Sequence, residues 1–478
     1  MKHLALLLLV SPILNASNVL DYGAVGDVLT ITDAEMTSDS ATLYSPNGLF
    51  TFEAVGKIVC VQGAGVSGLG LKSTISTFID NQHVVLAAAA STSVSGQRAF
   101  WGTDDTKAIQ NALDGAIGGE VIFPSRTYLV DPDMSLHPAN GATLILQGTL
   151  KAIGTASGLN AVIDCSNRSD ITIVGGVIEG DRYVHLGTTG EYGMGIMLES
   201  SLRIKVIGTT LRDCWGDGVW VGDATYKQDT PSRDITLQSI LCDNNRRQGI
   251  SVGSVIGLDV IGGVFTNTNG TAPSAGIDLE PDYPSNRLQN IRISGVSTSN
   301  NTGGGILIVP IRLADAPGGD VSITIDGWTS QDDGAATGTT GLHPGLRFAA
   351  GSGSALLNQL TGQISVTHAR IINSFAMGVD FDNWSSLHPR VILEDAKVIN
   401  PNRDGSGYAD FGWTSHEDTM AANSAFVVSA LPSDPYSATG WIDFRNCTAE
   451  DDRTVSTMQQ AFYLHSSDPT KTINAIVQ

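Results

Sequence analysis

The sequence predicts an all-β chain folded as a parallel β-helix, and three observations carry that prediction. The first is a short pattern that recurs through the second half, a Gly followed by alternating apolar residues. It runs from Gly195-Ile-Met-Leu-Glu199 through Gly218-Val-Trp-Val221, Gly249-Ile-Ser-Val252 and Gly276-Ile-Asp-Leu-Glu280 to Gly345-Leu-Arg-Phe348 and Gly378-Val-Asp-Phe-Asp382. Self-similarity at roughly 23–40 residues, built on short period-2 strands, marks a β solenoid and excludes helical repeats. The second is a column that forms when the strands ahead of these copies are aligned: Asp213, Asn244, Asn267, Asn300, Asp332, Asn373, Asn400 and Asp451. Asn and Asp tolerate the left-handed backbone of a sharp corner, so the column marks one turn of each rung. The third is composition. With 54 Gly and only 16% charged residues in 478, the chain suits many short strands joined by tight turns.

The elements follow in order. Residues 1–17 open with Met-Lys-His and the apolar run Leu4 to Val10, which reads as a short secretory signal or N-terminal anchor. Its apolar core is too short to span a bilayer, and no later segment reads as a membrane span. Next comes Val19-Leu-Asp-Tyr-Gly-Ala-Val-Gly-Asp27. Far downstream come Gly102-Thr-Asp-Asp-Thr-Lys-Ala-Ile-Gln-Asn-Ala-Leu113 and Gly119-Glu-Val-Ile-Phe-Pro124. Thr103 or Asp104 is placed to N-cap a short helix carrying Ala108, Ile109, Ala112 and Leu113 on one face. Such a helix plugs the open end of a solenoid. Residues 18–27 and 101–141 are therefore read as the opening and capping helix, and 28–100 as a small inserted β subdomain. Residues 142–478 are read as the β-helix, with long loops near 223–232, 314–320, 333–344, 350–361 and 402–437.

A net charge of −21 excludes a typical nucleic-acid binder, which needs basic stripes. The five cysteines, Cys60, Cys165, Cys214, Cys242 and Cys447, have neither metal-ligand nor disulfide-framework spacing, so buried free thiols are expected. No cofactor or metal is expected, and no motif indicates calcium.

In the Gly-led strands the first and third residues after Gly are apolar and point inward, so the second and fourth point outward. The second column reads Met197, Trp220, Ser251, Asp278, Leu307, Arg347 and Asp380; the fourth reads Glu199, Gly222, Gly253, Glu280, Val309, Ala349 and Asp382. Asp278 and Glu280 are expected in a solvent-facing groove, carboxyls about 6–7 Å apart, near the separation of acid and base in inverting glycosidases. Like charges this close raise one pKa, as a general acid requires. Asp380 and Asp382 repeat the geometry about three rungs on; either pair could instead be solvated surface acids. Asp217 is read as a supporting carboxylate. Trp220 is a stacking face for a sugar, or a ring buried under the 223–232 loop. Arg247, Gln248 and Arg347 are read as grips on a glycan, with pairing of Arg246 or Arg247 to Asp217 or Asp243 as the alternative. His185 is read as a surface-loop residue.

The opening motif, Asp21-x-Gly-Ala-x-Gly-Asp27 with Thr103-Asp-Asp-Thr-x-Ala-Ile-Gln110 and Gly119-x-Val-x-Phe-Pro124, resembles the pectate-lyase-3 superfamily. That resemblance implies a right-handed β-helix of the kind used by polysaccharide lyases, hydrolases, C5-epimerases and phage tailspikes. More narrowly, Asn244-Asn-Arg-Arg-Gln-Gly249 looks like the Asn-Asn-Asp-Arg-His-Gly stretch of mannuronan C5-epimerases, and Gly276-x-Asp278-x-Glu280 like their Gly-x-Asp-x-His. Gln248 and Glu280 stand where those enzymes carry His, which leaves a hydrolytic carboxylate pair open. The expectation is a secreted, monomeric protein that binds and cleaves a polysaccharide as a hydrolase or lyase. The alternative is a trimeric virion tailspike or receptor-binding protein that recognises host surface glycan; an inert adhesive solenoid is the third reading.

Overall fold

The computed structural model describes residues 16–478 apart from 157, 159, 225–228, 311, 314–318, 336–343, 350–357, 383, 404–422, 431–438 and 467–471. Most of the expected leader lies outside the described residues, as do parts of all the long loops.

The chain winds through three parallel sheets of 13, 11 and 10 strands. One rung shows the plan: Ser232–Gln238 lies in the first sheet, Leu241–Asp243 in the second and Ile250–Val252 in the third. Each strand pairs in parallel with its counterpart one rung away, as Ile250 does with Val219 and Ile277. This is a parallel β-helix. Seven residues of the Asn/Asp column, Asp213 to Asn400, hold φ of 54–59° at the corner between the second and third sheets. Their side chains also tie rungs together: the Asn244 amide donates to Asp213, Asn267 to Asp243 and Asn300 to Asn267, at 2.5–2.7 Å. Asp451, the eighth, is not left-handed; its carboxylate instead gathers the Arg453 guanidinium and the Met458 N–H. One residue further, Asn245, Asn301 and Asp333 are fully buried and satisfy corner backbone groups that would otherwise be stranded in an apolar interior.

Residues Thr106–Asp114 form the single α-helix among the described residues, burying Ile109, Ala112 and Leu113. Its cap position is held by Asp105, not by Thr103 or Asp104 as expected. Asp105 spends its carboxylate elsewhere, accepting the N–H groups of Val25 at 2.6 Å and Gly26 at 3.0 Å. Reciprocally, Asp27 accepts the Thr103 N–H and hydroxyl at 2.8 and 2.9 Å. The two halves of the opening motif are thus clamped together across the long insertion. Burial raises the Asp105 carboxyl to about 6.

Between the clamped halves, six antiparallel strands from Leu29–Met36 to Val94–Gly102 close into a barrel around Ile31, Val59, Ile75 and Trp101. The barrel docks on the β-helix through Cys60 and Phe100, which pack on Leu129, Ile153 and Val184. Lys57–Asp27 and Lys72–Asp131 ion pairs and the Gly70 N–H, donated to the His185 carbonyl at 3.0 Å, fix its seat. All five cysteines are free, Cys447 being half-buried and the rest buried. No described helix is long and apolar enough to cross a membrane.

Candidate active site

The third sheet sets Met197, Trp220, Ser251, Asp278, Leu307, Arg347 and Asp380 side by side on neighbouring strands. Successive members are one strand spacing, about 4.8 Å, apart. The inward neighbours Val219, Ile250, Ile277, Ile306, Leu346 and Val379 are core residues, so the column faces away from the solenoid interior. It does not lie in open solvent. Asp278 is 2% exposed, while Glu280 and Trp220 are half-buried. The expectation of a solvent-facing Asp278 is corrected accordingly: neighbouring side chains crowd over it.

Those neighbours define its chemistry. The Gln248 amide donates to Asp278 Oδ2 at 2.8 Å, and its oxygen accepts the Ala275 N–H at 2.7 Å. Gln248 is fully buried and both ends are engaged, so it positions Asp278 and is not the glycan grip expected. Asp278 and Glu280 stand close enough on the same strand for the Glu280 charge to act on Asp278. Burial, and then the Glu280 charge, holds the Asp278 carboxyl well above the usual carboxylate range, so Asp278 keeps its proton. Burial raises Glu280 as well, opposed by the nearby Arg247.

Arg247 is largely spent within the protein. Its Nη1 donates to Asp217 Oδ2 at 3.0 Å and to Ser251 Oγ at 3.3 Å, and its Nη2 lies 3.3 Å from Glu191. Asp217 is wholly enclosed, and burial lifts it to about 6 against the pull of Arg247. Asp217 therefore acts on the groove through Arg247. Arg246 turns the other way: its guanidinium lies 3.9 Å over the Trp215 ring, which stacks at 4.0 Å on His185. His185 Nδ1 meets Asp181 at 2.8 Å, and the ring is buried rather than in a surface loop as expected.

The Trp220 indole rests in a notch cut by two glycines. A Cβ at Gly222 would come within 2.8 Å of the ring and one at Gly253 within 3.0 Å. Met197 and Tyr192 pack nearby. Four buried polar atoms here, Asp217 Oδ1, Trp220 Nε1, Arg247 Nε and Asp278 Oδ1, have no hydrogen-bond partner among the described residues. Buried polar atoms left unmet are costly unless water or a ligand meets them. Glu191, Tyr192 and Ser251 complete the site without having been singled out in sequence. Ser251 was visible in the outward column. Glu191 and Tyr192 come from a Gly/Thr-rich loop of the preceding rung, which carries no periodic signal.

Arg347, Asp380 and Asp382 do not join this group. Arg347 Nη2 donates to Asp382 at 2.6 Å, and its Nε lies 3.6 Å from Asp380. Burial pushes Asp380 up to about 7, opposed by Arg347. Their reading as glycan contacts of the Asp278 site is corrected: they form a separate ion-paired cluster two to three rungs along. Among the described residues, no group of three or more His, Cys, Asp or Glu is arranged to hold a metal ion.

No family model matches the chain. It is 30% identical to Uncharacterized protein YclG of Bacillus subtilis (strain 168) over 43% of this chain, and the match spans only 42% of that relative's length. Among solved structures, the Dettilon tailspike protein (gp208) superposes with a TM-score of 0.50 at 12% identity, over 77% of this chain and 66% of that one. The catalytic domain of GH87 alpha-1,3-glucanase in complex with nigerose superposes with a TM-score of 0.46 at 11% identity, over 96% and 99%. At such identity the tailspike likeness speaks to architecture alone, and the architecture it shares with this chain is the parallel β-helix.

Proposed function

We propose that the protein is an extracellular glycan-active enzyme that hydrolyses a polysaccharide lying along the outward face of the third sheet. The observation that carries this reading is the Asp278–Glu280 pair, a buried carboxyl that keeps its proton two residues along one strand from a more accessible one. Two carboxyls that share one proton keep an acid available near neutral pH. Glu280 takes the Asp278 proton and passes it to the glycosidic oxygen as the bond to the anomeric carbon breaks, which leaves both carboxyls ionised. The Asp278 carboxylate so formed is met by the Gln248 amide and the nearby Arg247 charge. Water adds to the anomeric carbon, and the proton it releases restores the pair. Trp220 offers an apolar ring for a sugar face, and the unmet atoms of Arg247, Trp220 and Asp278 offer partners for hydroxyls. The likeness of the opening motif to the pectate-lyase-3 superfamily supports the same substrate class.

Hydrolysis is favoured over elimination because elimination needs a base for the carbon-bound proton. The positions that hold His in the resembling epimerase motifs are Gln248 and Glu280 here, one a neutral amide locked in hydrogen bonds. The test is a screen against neutral and anionic polysaccharides that follows reducing ends and the ultraviolet absorbance of unsaturated uronates in parallel. Reducing ends without absorbance, lost in Asp278→Asn and Glu280→Gln, are expected. Absorbance would overturn hydrolysis in favour of a lyase. Binding without turnover would leave a tailspike-like recognition protein.

A further inference from the structure

A second polar site lies on a different sheet from the Asp278 groove, where the barrel overhangs the outward face of the second sheet. There an open cleft of about 370 Å³ is lined by Thr30, Thr32 and Arg98 of the barrel and by Thr127, Thr149, Lys151, Glu179, Arg212 and Asp213 of the β-helix. That volume lies at the lower end of the range typical of small-molecule sites. The ion pairs and apolar contacts that seat the barrel hold its two walls against each other. Register places Lys151, Glu179 and Arg212 on successive strands, and Glu179 pairs with both neighbours, with Arg212 at 2.9 Å. Cation, anion and cation thus form a row along the floor in which Lys151 and Glu179 are spent and Arg212 only in part.

The remaining donors are unspent. Arg98 lies 5.4 Å over the Tyr183 ring and makes no side-chain hydrogen bond or ion pair with any described residue. Arg212 uses one nitrogen on Glu179, and its side chain is 44% exposed. The hydroxyls of Thr30, Thr32, Thr127 and Thr149 make no hydrogen bond with a described residue. Asp213 already accepts the Asn244 amide. Three cations against two carboxylates make this lining net positive in a chain of net charge −21. A planar guanidinium with open donors matches a carboxylate in bidentate fashion, and a ring of hydroxyls matches the hydroxyls of a sugar.

We propose that this cleft binds one or two sugar units bearing a carboxylate, as a site separate from the catalytic groove. It builds on the reading of the protein as glycan-active but uses none of the same residues. The experiment is ligand-observed saturation-transfer NMR with calorimetry on the full chain, using glucuronate, galacturonate, glucose and inorganic phosphate as probes. Uronate is expected to bind and glucose to bind at least about tenfold more weakly, the discrimination a charge-assisted hydrogen bond supplies. Arg98→Gln is expected to weaken uronate by about tenfold or more, and the double variant Thr127→Val/Thr149→Val to weaken uronate and glucose alike. Asp278→Asn is expected to leave all of these affinities unchanged. Thermal melts of each variant confirm that it is folded, and the threonine pair supplies a second reading should Arg98→Gln fold poorly.

Absence of uronate binding overturns the proposal, as does binding that survives both cleft variants. Uronate affinity lost in Asp278→Asn alone would place the sugar in the third-sheet groove, sinking the cleft site while leaving the enzymatic reading intact. Phosphate that binds as well as uronate would reduce the cleft to a simple anion site.

Discussion

The strands Ile277–Leu279 and Val379–Asp382 carry the same sequence device, Gly-x-Asp-x-acid, on the same face of the same sheet. Their fates differ through the placement of one arginine. At residues 378–382 the guanidinium of Arg347 stands one strand away in the same column, pairs with Asp382 and opposes the rise that burial gives Asp380. At 276–280 the corresponding position is Ser251, and the nearby Arg247 is committed to Asp217 and Glu191. The acids there settle their repulsion by keeping a proton. The lesson is that a two-residue carboxylate spacing is not itself a catalytic signal: it becomes one where the nearest cation is occupied elsewhere.

The sharpest break in this comparison is kinetic. Asp278→Asn and Glu280→Gln are expected to lower kcat by about 10²–10⁴, the usual span of a general acid–base contribution, whereas Asp380→Asn should change it by less than about threefold. Equal losses at the two pairs would erase the distinction. Next in size is stability. Removing the cation in Arg347→Met leaves two acids facing one another and should cost about 1–3 kcal/mol near pH 8 by denaturant titration. The cost should shrink toward about pH 5, because Asp380, already raised to about 7, then holds its proton.

The sign for the intact protein follows from the same linkage. Asp380 near 7 and Asp217 near 6 are raised above the unfolded carboxylate range, so each contributes stability that is present at low pH and lost as pH climbs through those values. Melting temperature should therefore be higher near pH 5 than near pH 8, with Asp380→Asn removing part of the slope. The finest discrimination concerns Trp220. Trp220→Ala should raise KM by about tenfold with kcat little changed, and Gly253→Val should mimic it by unseating the indole while the tryptophan remains.

Much of the third sheet was legible because period-2 alternation fixes which residues share a face. The outward column from Met197 to Asp380 follows from counting, and the left-handed corners follow from what Asn and Asp tolerate. Depth was not legible. Nothing in Gly276-Ile-Asp-Leu-Glu280 says that Asp278 is enclosed, because enclosure comes from Gln248 one rung away and from other segments of the chain. His185 misled for a related reason: Asp181 lies only four residues away, but Trp215 lies on the next rung, and only winding lays its ring on the imidazole. The barrel showed itself as strand-like runs, but its antiparallel closure depends on long-range pairs such as Leu29 with Trp101 that leave no local mark.

The reciprocal clamp of Asp27 on Thr103 and Asp105 on Val25 and Gly26 bears on how such a chain could have been assembled by descent. A guest module spliced between anchored ends adds little to the closure entropy of its host, because the host's own hydrogen bonds already hold those ends together. The β-helix can therefore exchange, lose or acquire a module at this point without renegotiating its rungs, so the splice point is a natural place to graft new specificity onto an old scaffold.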